Sequence, residues 1–165
     1  MTARPLLVAD SGPLIALARL DLLSLPEQLF GELLVTATVW REVTREPRET
    51  DRDSLAAAFD RGFLTVVDEP ARVPAALAAA RLDDGERSAL ALALLHQAVV
   101  LVDERRGRAC ASDLGLAVLG TLGLLVRARE HGLIAQLRPL VDALLSSGYF
   151  LARPLVDRAL ALVGE

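Results

Sequence analysis

The sequence predicts a three-layer α/β/α domain built around a mainly parallel central sheet of about five short strands. Three observations predict it. Short apolar runs such as Leu6–Ala9, Leu33–Thr36 and Val99–Val102 are continuous rather than alternating, as in strands covered on both faces. These runs alternate along the chain with longer helical stretches, the pattern of parallel strands joined by crossover helices. A hydrophobic content of 53% over 165 residues suffices for one core, and aromatics at 4% leave that core to Leu, Val and Ala. Residues 1–165 are expected to form a single domain, with residues 134–165 a helical extension packed on it.

Each element has its own reason. Leu6–Ala9 is a buried strand ended by Asp10. Ser11-Gly12-Pro13 follows, with Pro suited to a first helical turn, so a helix is expected over Leu14–Leu20. Asp21 is placed to cap a second helix reaching Leu29. Leu33–Thr36 is the next strand, and Thr38 is read as the cap of a helix carrying Trp40 and Glu42. The charged stretch Arg45–Arg52 contains Pro47 and reads as a loop before a helix over Ser54–Asp60. Phe63–Val67 is a strand, Glu69–Pro74 a break, and Ala75–Ala80 a short helix. Leu82-Asp83-Asp84-Gly85 reads as a tight turn into the helix Glu86–His96, whose apolar residues nearly surround it and predict burial between layers. Val99–Val102 is a strand, Glu104–Leu114 a helix, Ala117–Leu119 a short strand, and Leu122–His131 a helix stopped by Gly132. Ile134–Gly164 is helical with a break near Gly148–Arg153.

Composition excludes several chemistries. All eighteen basic residues are arginine. The absence of lysine removes lysine-dependent phosphate loops and Schiff-base chemistry, and the Ala- and Leu-rich background reads the skew as genome composition. Gly115, Gly120 and Gly123 do not match a phosphate loop. Ser146 and Ser147 lack a nucleophile-elbow pattern. His96 and His131 have no metal-ligand spacing with another His or Cys, so no zinc site is indicated. The single Cys110 excludes an internal disulfide, fits a reducing compartment and reads as a small buried apolar residue. Asp10 interrupts the N-terminal apolar stretch, and Leu114–Val126 is too short to span a bilayer, so a cytoplasmic protein without a membrane segment is expected. Net charge of −4 argues against a general nucleic-acid binder, unless acids gathered around a cation inflate the count.

Acids carry the remaining signal. Asp10 and Asp103 each end an apolar strand, and the carboxyl ends of parallel strands are where sites form. Either alone could be a helix cap. Glu86, at the start of a buried helix, could answer the helix dipole, and Glu42 alone would be a surface residue. Together Asp10, Glu42, Glu86 and Asp103 supply an oxygen-only cage for a hard cation, Mg²⁺ or Mn²⁺, and so point to metal-assisted phosphodiester chemistry. Without a cation such a group would repel until one member held a proton. Arg105, Arg106 and Arg108 follow Asp103, and Arg41 and Arg87 adjoin two other acids, so guanidinium groups can fork onto phosphate. Trp40 is read as a core or inter-helix residue rather than a base-stacking platform. A phosphatase of the haloacid dehalogenase type also starts with a strand-end Asp, but it needs a second Asp where Gly12 stands and a lysine that is absent.

Five ordered stretches are familiar: Val8-Ala9-Asp10-Ser11-Gly12-Pro13-Leu14-Ile15, Val39-Trp40-Arg41-Glu42-Val43, Leu82-Asp83-Asp84-Gly85-Glu86-Arg87-Ser88-Ala89, Val102-Asp103-Glu104-Arg105-Arg106-Gly107-Arg108 and Gly120-Thr121-Leu122-Gly123-Leu124-Leu125. With them the chain resembles the PIN domains (named for the PilT N-terminus), metal-dependent ribonucleases, and within them the bacterial and archaeal subgroup related to toxins of toxin–antitoxin pairs. The resemblance implies that Asp10, Glu42 and Asp103 are catalytic metal ligands. It implies the same of Glu86, at a position where most PIN domains carry aspartate and this subgroup a Gly-Glu version. Ser11, Arg105 and Arg106 would contact the substrate. Hydrolysis of RNA to 5′-phosphate and 3′-hydroxyl ends is expected, together with a small antitoxin partner and a homodimer. The Leu-rich stretches Leu14–Leu29 and Leu122–Leu145 hold an apolar surplus suited to such an interface. The alternative is a catalytically weak PIN-like module that binds RNA or protein to regulate.

Overall fold

The short apolar runs pair into one five-stranded, all-parallel sheet flanked by helices in the computed structural model, which describes residues 4–45 and 47–165. The strands are β1 (Leu7–Ala9), β2 (Leu33–Thr36), β3 (Thr65–Val67), β4 (Val99–Leu101) and β5 (Val118–Leu119), in the order β3-β2-β1-β4-β5. The helices are α1 (Ser11–Arg19), α2 (Leu25–Phe30), α3 (Ala37–Arg45), α4 (Glu49–Asp60), α5 (Ala75–Ala79), α6 (Asp84–His96), α7 (Arg105–Asp113), α8 (Thr121–Glu130), α9 (Arg138–Ser146) and α10 (Arg153–Leu162). In the central strand, Leu7 pairs with Leu33 on one side and Val99 on the other. The chain builds outward from β1 through β2 to β3, then crosses back to β4 and β5. The switch point therefore lies between β1 and β4, and Asp10 and Asp103 follow those two strands.

Burial explains the continuous runs. Leu7, Val8, Ala9, Val100 and Leu101 are fully covered, as are Leu90 and Ala93 of α6, which lies against β1, β2 and β4. A second apolar cluster joins Ala16 and Leu25 to Leu125, Leu137, Val141, Leu144, Val156 and Leu160. It fixes α9 and α10 against α8, with the expected break between them. The apolar surplus of α1 and α8 is spent inside the chain: Leu14, Leu17, Leu124 and Leu125 are all buried. Large exposed apolar side chains include Leu133 and Leu145 within the stretch expected to hold a surplus, and Phe150, Leu155 and Leu162 beyond it. Among the described residues no helix is long and apolar enough to cross a membrane.

Several expected boundaries move, some for local and some for tertiary reasons. Helix α1 starts at Ser11 rather than Leu14, because extended Asp10 already occupies the cap position and Pro13 falls in the first turn, where backbone N–H groups have no intrahelical acceptor and a missing N–H loses nothing. Asp21 is not a cap: it sits in the left-handed region at φ 55°, just past α1, and accepts a hydrogen bond from Ser54. Ser24 precedes α2 instead. Thr38 is inside α3. Its expected role belongs to Thr36, whose Oγ1 accepts from the Val39 N–H at 3.2 Å. Helix α4 begins at Glu49, within the segment read as a loop, since Glu49 and Asp51 favour its first turn and buried Asp51 pairs with Arg19 at 3.4 Å. The Asp-Gly pair at Asp84-Gly85 is not a turn but the first turn of α6. Cys110 is half-buried rather than buried. Trp40 does stack between helices, on Phe59, with ring centres 5.5 Å apart.

Candidate metal centre

Asp10 leaves β1 in extended conformation, with its backbone N–H bonded to the Leu101 carbonyl of β4 at 3.0 Å. That bond ties the residue to the switch point. Asp10 is 4% exposed and its Oδ1 has no hydrogen-bond partner. Burial pushes its pKa up to about 7, opposed by the Ser11 backbone N–H and reinforced by the charges of Asp83, Glu86 and Glu42. A buried carboxylate with one oxygen left without a donor, among other carboxylates, favours either a proton or a cation.

Glu86 arrives from α6. Asp83 caps that helix by accepting the Glu86 N–H at 2.7 Å, and Glu86 Oε2 accepts the Asp83 N–H at 3.1 Å. This reciprocal capping box is a more specific structural role than a favourable charge at a helix dipole. It uses one oxygen only. Glu86 is 6% exposed and its Oε1 is buried without a partner, and burial holds its carboxyl above the ordinary range. Gly107 makes the room, since a Cβ there would fall 3.0 Å from Oε1.

Glu42 is exposed as a residue, but its carboxylate lies against the backbone of Gly85. A Cβ on Gly85 would sit 2.8 Å from Glu42 Cδ, so only glycine leaves that carboxylate in place. Desolvation raises its pKa, while the Ser11 hydroxyl and the Gly85 backbone N–H favour the charged form. Ser11 thus acts on an acid of the site.

Asp103 follows β4 on the same edge, but it is held differently. Oδ1 accepts the Thr121 N–H at 2.8 Å, and Oδ2 accepts the Thr121 hydroxyl at 2.6 Å and the Tyr149 hydroxyl. A carboxylate offers about four acceptor positions, so about one remains open. Gly120 leaves room for Oδ1, where a Cβ would fall at 3.1 Å. Burial and the neighbouring Asp103 charge keep the Tyr149 phenol protonated well above its ordinary range.

The arginines divide. Arg105 and Arg106 are exposed at the start of α7, and the Arg106 charge opposes the rise at Glu86. Arg87 is committed to the carbonyls of Leu77, Ala80 and Leu82 and to Asp84, so it braces the chain before α6. Arg108 bonds the Val102 carbonyl at 3.2 Å, and Arg41 bonds within α3 to Ala37 and Thr38.

The sheet edge therefore gathers Asp10, Glu42 and Glu86 into one electrostatic group, with Asp103 beside it, joined through Tyr149, whose phenol feels both Asp103 and Asp10. The donor chemistry fits a hard divalent cation: all oxygen, with two buried oxygens unpartnered. As the side chains stand, no three His, Cys, Asp or Glu residues among the described ones form a group that would hold an ion. Sequence reasoning missed Tyr149, Gly85 and Gly107. Gly85 adjoins Glu86 and Gly107 lies among the arginines after Asp103, but close approach between elements is not written in local spacing. Thr121 had a usable signal, since it follows the β5 run as Asp10 follows β1.

Among solved structures, a PilT N-terminus domain protein from the archaeon Sulfolobus solfataricus is similar at TM-score 0.59 and 18% identity, over 74% of this chain and 92% of that one. A protein from Pyrobaculum aerophilum is similar at TM-score 0.50 and 20% identity, over 76% and 89%. At such identities the likeness speaks to the fold. No curated protein is a significant match. The family model DUF3368, described as a PIN domain, matches residues 6–165, almost the whole chain. PIN domains are generally nucleases that use divalent metals. This chain belongs to the PIN-domain family.

Proposed function

We propose that this protein is a Mg²⁺- or Mn²⁺-dependent endoribonuclease, acting as the toxin of a type II toxin–antitoxin pair. The observation that carries the nuclease reading is Asp10, a buried carboxylate with an unpartnered oxygen and a pKa near 7 among three further acids. Asp10, Glu42 and Glu86 would hold the ion, with the open position on Asp103 completing the set. Bound there, a divalent cation supplies a nucleophile at neutral pH and charge on the phosphate oxygens. The chain's own residues set the stage for it. Glu86 is oriented by the capping box and Asp103 by Thr121, and the Glu42 carboxylate lies against the Gly85 backbone. Arg105 and Arg106 stand free beside the acids, where forked donors suit a phosphodiester backbone. No histidine or lysine is needed.

The toxin role, the antitoxin and the homodimer rest on the resemblance of the five motifs to that subgroup. A catalytically weak RNA- or protein-binding module is the second reading. What favours it is Asp103, engaged by three donors, and the lack of a ready ion-holding group among the described residues. Incubation of the full chain with defined single-stranded RNAs, with Mg²⁺, Mn²⁺ or chelator, separates the two. Metal-dependent cleavage leaving 5′-phosphate and 3′-hydroxyl ends is expected, and RNA binding without cleavage in either metal supports the second reading.

A further inference from the structure

Tyr149 lies 46 residues beyond Asp103 in sequence, yet its hydroxyl donates to Asp103 Oδ2. How it gets there is built into the chain. Helix α9 ends in a left-handed Gly148, φ 84°, with the Gly148 N–H bonded to the Leu145 carbonyl and the Tyr149 N–H to the Leu144 carbonyl. This Schellman closure turns the chain sharply and fixes the direction in which Tyr149 leaves. Two arginines pin the same turn from the body of the fold. Arg48 donates to the Ser147 carbonyl at 2.8 Å, and Arg19 donates to Ser147 Oγ at 3.3 Å while paired with buried Asp51. The phenol then reaches past Gly12, where even a Cβ would stand 3.4 Å from its oxygen.

We propose that Tyr149 is a positioning residue of the carboxylate site: its phenol and Thr121 together hold Asp103 in one orientation, which makes the α9–α10 segment part of the site. The functional consequence rests on the cation reading given above, but the positioning itself does not. Outer donors to a metal-ligating carboxylate typically change metal affinity or activity by about 10–100-fold when removed. Tyr149→Phe deletes only the donor and keeps the ring.

Two measurements on the full chain test this. The first is backbone amide exchange at Thr121, whose N–H is bonded to the carboxylate that Tyr149 restrains. The second is Mn²⁺ affinity by calorimetry. In Tyr149→Phe the global melting temperature is expected to hold, Thr121 exchange to quicken, and Mn²⁺ binding to weaken about 10–100-fold. Unchanged exchange at Thr121 overturns the proposal, and so does faster exchange with Mn²⁺ affinity within about twofold of the parent, well short of that range. A parent protein that binds no Mn²⁺ refutes the cation reading instead, and the Thr121 exchange still decides the positioning.

Discussion

Asp10 makes the clearest case at the scale of single residues. Its folded-state pKa, about 7, is above the 3.8 of an unperturbed Asp. Between those pH values the folded chain keeps a proton that the unfolded chain has released, so without metal the contribution of Asp10 to stability is fully present below about pH 4 and is lost as pH rises through 7. The cost of the charged, buried form is on the order of 4 kcal/mol. Asp10→Asn should therefore flatten this slope and raise the melting temperature at pH 8 in chelator. A melting curve with the same pH dependence in parent and variant would refute the assignment. Gly85→Ala tests the neighbouring contact. Helix propensity favours Ala by up to about 1 kcal/mol, while the new Cβ displaces the Glu42 carboxylate. An equally stable protein with weakened Mn²⁺ binding is expected, and unaltered Mn²⁺ binding would remove Glu42 from the site. Asp10 and Asp103 were legible in sequence because an acid ending an apolar strand stands out. Gly85 and Gly107 were not, since a missing Cβ matters only when another element comes against it.

Helix α6 shows how far elements could be read. Its existence and burial followed from its apolar residues, but its start did not, because an Asp-Asp-Gly sequence serves equally as a turn or as a capped first turn. The structure chooses the cap, since Asp83 and Glu86 satisfy each other's backbone donors. Asp83→Ala should cost about 0.5–2 kcal/mol, as measured by denaturant melting. Glu86→Gln keeps an acceptor for the Asp83 N–H and loses only about 0.3–1 kcal/mol of dipole interaction, yet it removes the charge beside Asp10. A nearly unchanged melting temperature with lost Mn²⁺ response is expected. A variant that is destabilised but responds normally to Mn²⁺ would make Glu86 a cap and nothing more. The misplaced starts of α2 and α4 have a tertiary cause. Asp21 looks like a local cap and Asp51 like a loop residue, and only their partners, Ser54 for one and Arg19 for the other, give them their roles.

Over the whole molecule, the parallel sheet was legible because its strands are continuous apolar runs, and its order placed the two strand-end acids at the switch point. The contribution of the C-terminal segment was not legible, since nothing near Tyr149 in sequence points to Asp103. That segment is joined to the rest through the second apolar cluster. Leu144, fully buried there, also offers the carbonyl that fixes Tyr149. Leu144→Ala should cost about 2–5 kcal/mol, and a loss below that range in denaturant melting would mean the segment is only loosely attached. The homodimer expected from the resemblance draws on Leu14–Leu29 and Leu122–Leu145, where most apolar side chains are buried within the chain but Leu133 and Leu145 are exposed. Light scattering at micromolar concentration tests it, and a monomer throughout would count against the toxin reading's dimer. The most direct measurement of the cation site is calorimetric titration of the chelator-treated full chain with Mn²⁺, beside Asp10→Asn. Saturable binding by the parent and its loss in the variant is the expected result. No binding by the parent, or equal binding by both, would contradict a metal centre at these carboxylates.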